Sequence, residues 1–235
     1  MLARGLFIAA ALSVLVLCGC SSGYRAVYDI DLVGTERPES AQETFGEQVV
    51  KVVGEVGRER SHFEDGLVAI EWEPTPEEFR LQITNKSINP ISIIWDDGGY
   101  VDENGQKHRI IHSKVIHEDR EKSQKPTVVD PGGQVKEAVR SADNIVYEKG
   151  INARYREQPF FPESGSNPEE LTQKTSPLVK KTVSVMLPLE TSGEKYAYSF
   201  VFELANINIV KTKEDVKKES TWVEEDAHVP FDPNR

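Results

Sequence analysis

The sequence has 235 residues, 38% of them hydrophobic, and a formal net charge of −11 at pH 7. This length suits one domain of about 100–200 residues with additional terminal segments. The acidic balance argues against nucleic acid as a partner and against adhesion to anionic lipid through a basic face.

The N-terminal segment has the layout of a secretory signal peptide. Arg4 gives a positive start, an uncharged apolar run extends from Gly5 to Val16, and the small residue Gly19 precedes Cys20. This order of positive, apolar and small residues is typical of a cleaved signal peptide. The apolar run is shorter than the ~20 residues that a membrane-spanning helix requires. The alternative is an ordinary signal peptide whose cysteines are coincidental.

The end of this segment, Leu17-Cys18-Gly19-Cys20, resembles a bacterial lipobox. Cys18 follows the bulky Leu17, which suits a small-residue peptidase pocket poorly, so Cys20 is the predicted lipidation site. The resemblance implies cleavage before Cys20, a diacylglyceryl thioether on its sulfur and acylation of the new amino terminus. Several acyl chains would anchor the protein stably. In a Gram-negative cell, the resemblance together with Ser21 rather than Asp after the cysteine implies export to the outer membrane, facing the periplasm.

The two cysteines restrict the chemistry of the remaining chain. If Cys18 leaves with the leader and Cys20 carries lipid, the mature chain has no free thiol. Disulfides, thiol catalysis and cysteine-based zinc sites are then excluded.

After the leader (residues 1–19), residues 20–60 are predicted to hold the lipidated cysteine, a tether and a short helix. Residues 21–40 lack a sustained hydrophobic period, which is typical of a flexible linker. A spacing of three or four residues then predicts one amphipathic helical stripe. This stripe consists of Phe45, Val49, Val52, Val53 and Val56.

Residues 61–211 are predicted to form the folded domain, because the hydrophobic period changes to two. The clearest alternating strands run from Phe79 to Ile83, from Val183 to Leu189 and from Tyr196 to Leu204. About eight short strands with turn signals between them, and no alternation with helices, predict an all-β, antiparallel Ig-like β-sandwich. The charged stretch from Thr212 to Arg235 is predicted to be a loosely held tail.

Turn residues and large apolar residues complete the predicted domain. Turns are predicted at 102–105, 130–133 and 191–194, where Asp, Asn, Ser or Pro stands beside Gly. Residues 148–177 are predicted to have no regular secondary structure. The predicted core includes Trp72, Phe79, Leu81, Ile83, Trp95, Phe200 and Phe202.

Several motifs between residues 79 and 162 occur together in a recognisable order. They are Phe79–Ser87, Pro90–Asp96, Tyr100–Gly105, His108–His112, Val129–Gly132 and Pro159–Pro162. In this combination the chain resembles small bacterial lipoproteins with an Ig-like β-sandwich and no established activity. The resemblance implies the fold and the envelope location, and it supplies no catalytic residues.

The local histidine cluster offers an alternative function as a metal or small-ligand site. If residues 108–115 form one strand, His108 and His112 share a face, and a neighbouring acid such as Asp102 could complete a site. A catalytic zinc needs three well-placed ligands, so surface histidines beside a turn are the favoured interpretation. We therefore expect no cofactor.

The aromatic loop at 159–162 has two interpretations. Phe160 and Phe161, with Tyr155 nearby, could form an interaction loop, because aromatic residues are enriched at interfaces. Alternatively, the two Phe side chains close one end of the sandwich. The second interpretation is favoured, since exposed apolar patches are uncommon on soluble domains.

No nucleophile elbow, Walker A loop, dinucleotide fingerprint or His-Glu-x-x-His motif occurs in the sequence. We therefore expect no enzyme. The sequence predicts a lipid-anchored cell-envelope protein whose sandwich is a protein-interaction or structural module. The expected partners are the membrane, through the acyl chains, and another envelope protein.

Overall fold

The computed structural model describes residues 23–54 and 60–212, which form sixteen strands and two α-helices. The strands are β1 (Tyr24–Glu36), β2 (Val49–Val53), β3 (Arg60–Glu64), β4 (Val68–Pro74), β5 (Phe79–Asn85), β6 (Ile91–Ile93), β7 (Gly99–Val101), β8 (Lys107–His108), β9 (Ile110–His112), β10 (Thr127–Val129), β11 (Gln134–Ser141), β12 (Ile145–Glu148), β13 (Arg154–Glu157), β14 (Ser164–Gly165), β15 (Thr182–Thr191) and β16 (Glu194–Lys211). The helices are α1 (Glu39–Phe45) and α2 (Pro168–Thr175), and 3-10 turns occur at Trp95–Asp97, His117–Asp119, Ala142–Asn144 and Ser176–Leu178.

The strands confirm the predicted all-β antiparallel sandwich. Sheet 1 has the order β10-β6-β15-β16-β1-β14, with β7 also pairing with β15 and β8 pairing with β7. Sheet 2 has the order β2-β3-β4-β5-β11-β9, and β12 and β13 form a separate pair. Neighbouring strands are antiparallel throughout both sheets.

The core lies between the two sheets because each long strand is apolar on one side. In β5 the residues Phe79, Leu81 and Ile83 are buried and alternate with more exposed polar residues. The ring of Trp72 in sheet 2 packs against Phe200 of sheet 1, with 5.0 Å between ring centroids. All seven residues predicted for the core are buried.

The tether predicted over residues 21–40 is wrong beyond residue 23. Strand β1 begins at Tyr24, opposite Lys211, and stays paired with β16 as far as Glu36. From Ala26 to Val33 the even-numbered residues are the more buried ones, so the alternation continues across the register shift between Asp29 and Ile30. The sequence therefore carries a period of two over this strand, which the linker prediction overlooked.

The predicted helical stripe is also misplaced. Helix α1 covers Glu39–Phe45 and ends at Gly46, whose φ of 72° favours glycine. The valines that follow form strand β2 instead. Val56, the leader, Cys20 and the predicted tail beyond Thr212 lie outside the described residues.

All three predicted turns are present; the Gly105 N–H donates to the Asp102 carbonyl oxygen at 3.0 Å and the Gly133 N–H to the Asp130 carbonyl oxygen at 2.8 Å. Thr191–Glu194 closes the β15–β16 hairpin with positive φ at both Ser192 (52°) and Gly193 (81°), as a type I′ turn requires. The turn at 130–133 connects β10 of sheet 1 to β11 of sheet 2, so it joins the layers rather than forming a hairpin. Residues 148–177 contain α2, which Asn167 caps by accepting a hydrogen bond from the Glu169 N–H at 2.9 Å.

Within the described residues, neither helix has the length and apolar character needed to cross a membrane.

A buried carboxylate, Asp65, links the two sheets. One carboxylate oxygen accepts hydrogen bonds from the Arg37 guanidinium and the Tyr198 hydroxyl, both at 2.8 Å. The other accepts from the backbone N–H groups of Leu67 at 2.8 Å and Val68 at 3.0 Å. Burying this charge is therefore compensated by four donors.

We predict that Arg37→Ala lowers the free energy of unfolding by about 3–5 kcal/mol, because it leaves a buried carboxylate without its countercharge. Urea denaturation at pH 7 measures this loss. The matched control is Arg80→Ala, which removes the more exposed Arg80–Glu78 pair and is expected to cost about 1 kcal/mol or less. Equal losses in the two variants would contradict the assigned role of Asp65.

Candidate functional site

The structure separates the two histidines that the sequence placed on one strand. His108 ends β8 in sheet 1, whereas His112 ends β9 in sheet 2. The chain crosses between the layers at Arg109, whose guanidinium holds Asp96 at 2.7 Å and the carbonyl oxygen of Lys122 at 2.6 Å. The shared-face hypothesis is therefore wrong, because one strand was predicted where two occur.

His108 connects two turns through its two ring nitrogens. Nδ1 lies 2.8 Å from Asp143 and Nε2 lies 3.2 Å from Asp102, so the carboxylates bind opposite sides of the ring. Partial burial lowers the pKa of His108, but the hydrogen bonds and charges of the two carboxylates outweigh it and raise the pKa. Because the two carboxylates do not converge on one point, this arrangement favours an ion-pair bridge.

No group of three or more His, Cys, Asp or Glu side chains in residues 23–54 and 60–212 is arranged to hold a metal ion.

His112 belongs to a buried polar cluster that spans both sheets. Its ring stacks on Trp95, with centroids 5.0 Å apart and planes 10° apart, and its Nδ1 lies 3.4 Å from the Glu137 carboxylate. The Trp95 N–H donates to the Thr127 hydroxyl at 3.0 Å, which in turn donates to Glu137 at 3.0 Å. The Ser113 hydroxyl donates to the other oxygen of the same carboxylate. Glu137 thus fixes β9 and β10 against β11.

The carboxylate of Glu137 is fully buried, yet its pKa is lowered. Burial acts to raise the pKa, but the hydrogen bonds from Ser113 and Thr127 and the charges of His112 and Lys114 outweigh it. Glu137 is therefore held as the charged form. A charged group in this position orders its surroundings and is poorly suited to act as a proton donor near neutral pH.

Sequence reasoning missed Glu137. The sequence does contain a signal that Glu137 is buried. In β11, Val135, Glu137 and Val139 occupy alternate positions on the face directed at the core. A charged residue between two core valines indicates a partnered buried charge. Its partners come from two other segments of the chain, residues 112–114 and Thr127, so the sequence alone could not identify them.

A groove of about 570 Å³ lies beside this cluster. We call it the lysine groove; its lining includes Lys114, Ile116, Lys122, Lys125, Val128 and Val135. Two apolar side chains on its walls are largely exposed, Ile116 at 60% and Val128 at 59%. The volume is typical of sites that hold a small ligand or several residues of a peptide.

The walls of the lysine groove include two strand edges without a ladder partner among the described residues. β10 pairs only with β6. β11 contributes Val135 to the lining, and it pairs with β9 only from Val139 to Ser141. The groove therefore combines exposed backbone, apolar side chains and lysines, which are features that recognise an extended acidic peptide.

The aromatic loop agrees with the closing-end interpretation. Phe161 is buried against Tyr28, with ring centroids 5.4 Å apart, and Phe160 packs on Tyr100 at 4.4 Å. Tyr155 lies elsewhere, against the small Ile111–Ala142–Ile145 cluster. Phe161 is too buried to contact a partner and Phe160 is partly buried against the core, which favours the closing-end interpretation over an interaction loop.

The class of protein that this fold defines is an antiparallel β-sandwich with two polar, buried links between its layers. Comparison with known proteins adds no narrower identity. The chain matches no family model, no curated protein and no solved structure.

The lowered pKa of Glu137 predicts that this residue contributes to the loss of folding stability in acid. The folded state binds this proton less readily than the unfolded chain, whose glutamate pKa is about 4.3. The stability that Glu137 contributes is therefore present above that pH and is lost as pH falls through the folded pKa. Glu137→Gln should lower the free energy of unfolding at pH 7 by about 1–3 kcal/mol and flatten its decline between about pH 5 and 3.

Urea denaturation at several pH values measures this prediction, with the exposed Glu118→Gln as the control. An unchanged pH profile in Glu137→Gln would show that the carboxylate does not contribute in this way.

Proposed function

We propose that the protein is a lipid-anchored lipoprotein of the bacterial cell envelope, and that its β-sandwich is a non-catalytic module that binds another envelope protein. The N-terminal layout and the lipobox-like Leu17–Cys20 support the anchor. The resemblance to small bacterial lipoproteins agrees with it. The lysine groove is the observation that supports the binding role.

The start of β1 limits how far the domain could stand from a membrane. Three residues, Ser21 to Gly23, separate the proposed lipidated Cys20 from Tyr24. An extended chain covers about 3.3–3.6 Å per residue, so Cys20 and Tyr24 are at most ~14 Å apart. Thr212 donates its N–H to Gly23 at 3.0 Å, which places the end of β16 at the same end of the domain. Lipidation would therefore hold this end close to the bilayer.

The proposed ligand of the lysine groove is an extended acidic segment of a neighbouring protein. Lys114, Lys122 and Lys125 line the groove; Asp119 pairs with Lys122 at 2.6 Å and Glu137 pairs with Lys114 at 3.4 Å, so one lysine more than the paired carboxylates remains. This local positive excess contrasts with the net charge of −11 for the whole chain. Charge complementarity would favour an acidic partner, while Ile116 and Val128 would contact an apolar side chain of that partner.

The anchor predicts a specific labelling result. Cys20→Ser should abolish incorporation of labelled palmitate and release the protein from the membrane fraction, because the lipid acceptor is removed. Cys18→Ser is the matched control and should leave both unchanged. If Cys18→Ser abolishes labelling and Cys20→Ser does not, then Cys18 and not Cys20 carries the lipid, which contradicts our assignment.

The groove predicts a crosslinking result in living cells. A photoreactive amino acid at the position of Val128 should crosslink one reproducible protein through an acidic segment, identified by mass spectrometry. The same probe at Ile88, which is 90% exposed and outside the groove, should not.

Lys125→Glu should reduce this crosslink about three-fold to ten-fold by charge repulsion. The exposed Lys149→Glu is the control. A crosslink insensitive to the groove charges would exclude the acidic ligand.

A further inference from the structure

Strand β2 is an exposed apolar edge strand at the other side of the sandwich from the lysine groove. It ends the order of sheet 2 and pairs only with β3 among the described residues. Its sequence is Val-Val-Lys-Val-Val, and Val49, Val50 and Val52 are 50%, 39% and 64% exposed. An edge of this composition can pair with a further strand, and natural proteins usually protect such edges.

β2 is exposed because sheet 2 extends further than sheet 1 on this side of the sandwich. Val50 and Val52 lie opposite Phe63 and Ser61 in β3, so they share the face that is directed at the core. The Leu32 N–H of β1 donates to the Ser61 hydroxyl at 3.2 Å, which places β1 across from β3. Among the described residues, sheet 1 has only the two-residue strand β14 beyond β1, so β2 projects past the edge of the opposite layer.

The neighbouring edge of β1, in contrast, is partly closed. The Ser61 hydroxyl accepts the Leu32 N–H, and the Gln48 side chain donates to the Thr35 carbonyl oxygen at 3.1 Å. Side chains that occupy the hydrogen-bonding groups of an edge hinder the addition of a strand. Of these two adjacent edges, β2 is the one suited to a partner.

We propose that β2 is a docking edge for an extended segment of another protein, which adds to sheet 2 as a seventh strand. The segment carries an acidic residue opposite Lys51 and apolar residues on either side of it. Main-chain hydrogen bonds supply affinity in this mode of recognition, and side chains at alternate positions supply specificity. The proposal is independent of the lysine groove and of the lipid anchor.

A second copy of this chain is a poorer occupant on electrostatic grounds. Antiparallel pairing of Val49–Val53 with itself over its full length places Lys51 opposite Lys51 of the other copy. Like charges directly opposite one another destabilise a strand pair, whereas opposite charges stabilise it. Lys51 therefore selects against self-pairing and in favour of an acidic partner.

Two labelled synthetic peptides test this proposal by fluorescence anisotropy with the purified full-length chain. One contains Val-Val-Glu-Val-Val and the other Val-Val-Lys-Val-Val, each between Gly-Asn-Ser segments that keep it soluble. The Glu peptide should bind about five-fold more tightly than the Lys peptide. Lys51→Glu should reverse that preference, since the charge opposite each peptide changes sign.

Variants of similar shape locate the peptide on the molecule. Val52→Thr keeps the β-branched shape and should weaken binding of both peptides, whereas Val27→Thr, at a partly exposed position on β1, should leave it unchanged. Absence of binding, or a preference that Lys51→Glu does not reverse, would overturn the proposal. Self-association in analytical ultracentrifugation that Val52→Thr abolishes would also overturn it, because the occupant would then be a second copy.

Discussion

The buried carboxylate of Asp65 is the interaction on which the arrangement of the two layers depends. Its donors come from both sheets: Arg37 follows β1 and Tyr198 lies on β16, while the N–H groups of Leu67 and Val68 belong to the connection into β4. Apolar packing between two sheets is not directional. A charge that needs four donors in fixed positions sets the lateral position of the sheets, and this position leaves β2 beyond the edge of sheet 1.

Glu137 has the corresponding role on the opposite side of the sandwich. Its carboxylate joins Thr127 of sheet 1 to Ser113, which follows β9 of sheet 2. Each buried carboxylate thus lies near a side where the core ends and strand edges are open. Replacing such a network with apolar groups can leave stability unchanged, so its contribution here is to define one arrangement of the layers. The open edges are therefore held in fixed positions, as a binding surface requires.

The sequence predicted those parts of the fold that depend on local pattern. β5, β15 and β16 alternate cleanly, and the β15–β16 turn has the residues that its positive φ angles require. β1 also alternates between buried and exposed residues, so the linker prediction overlooked a local signal. The two histidines were assigned to one strand because the crossing at Arg109 depends on the distant Asp96 and Lys122. The partners of Glu137 were unpredictable for the same reason. Local patterns identify strands, whereas a site assembled from several segments depends on the topology.

Lys51 shows how one side chain can both protect an edge and select what binds to it. Four valines in five residues would make an edge strand prone to pair with other molecules. A central lysine is a common natural protection against self-pairing. The same ammonium group becomes favourable when an acidic side chain lies opposite it. In a chain with a net charge of −11, repulsion between copies adds to this selection. The edge can therefore remain apolar enough to bind a strand without binding its own copies, because discrimination against the wrong partner rests on charge and affinity rests on backbone and valine contacts.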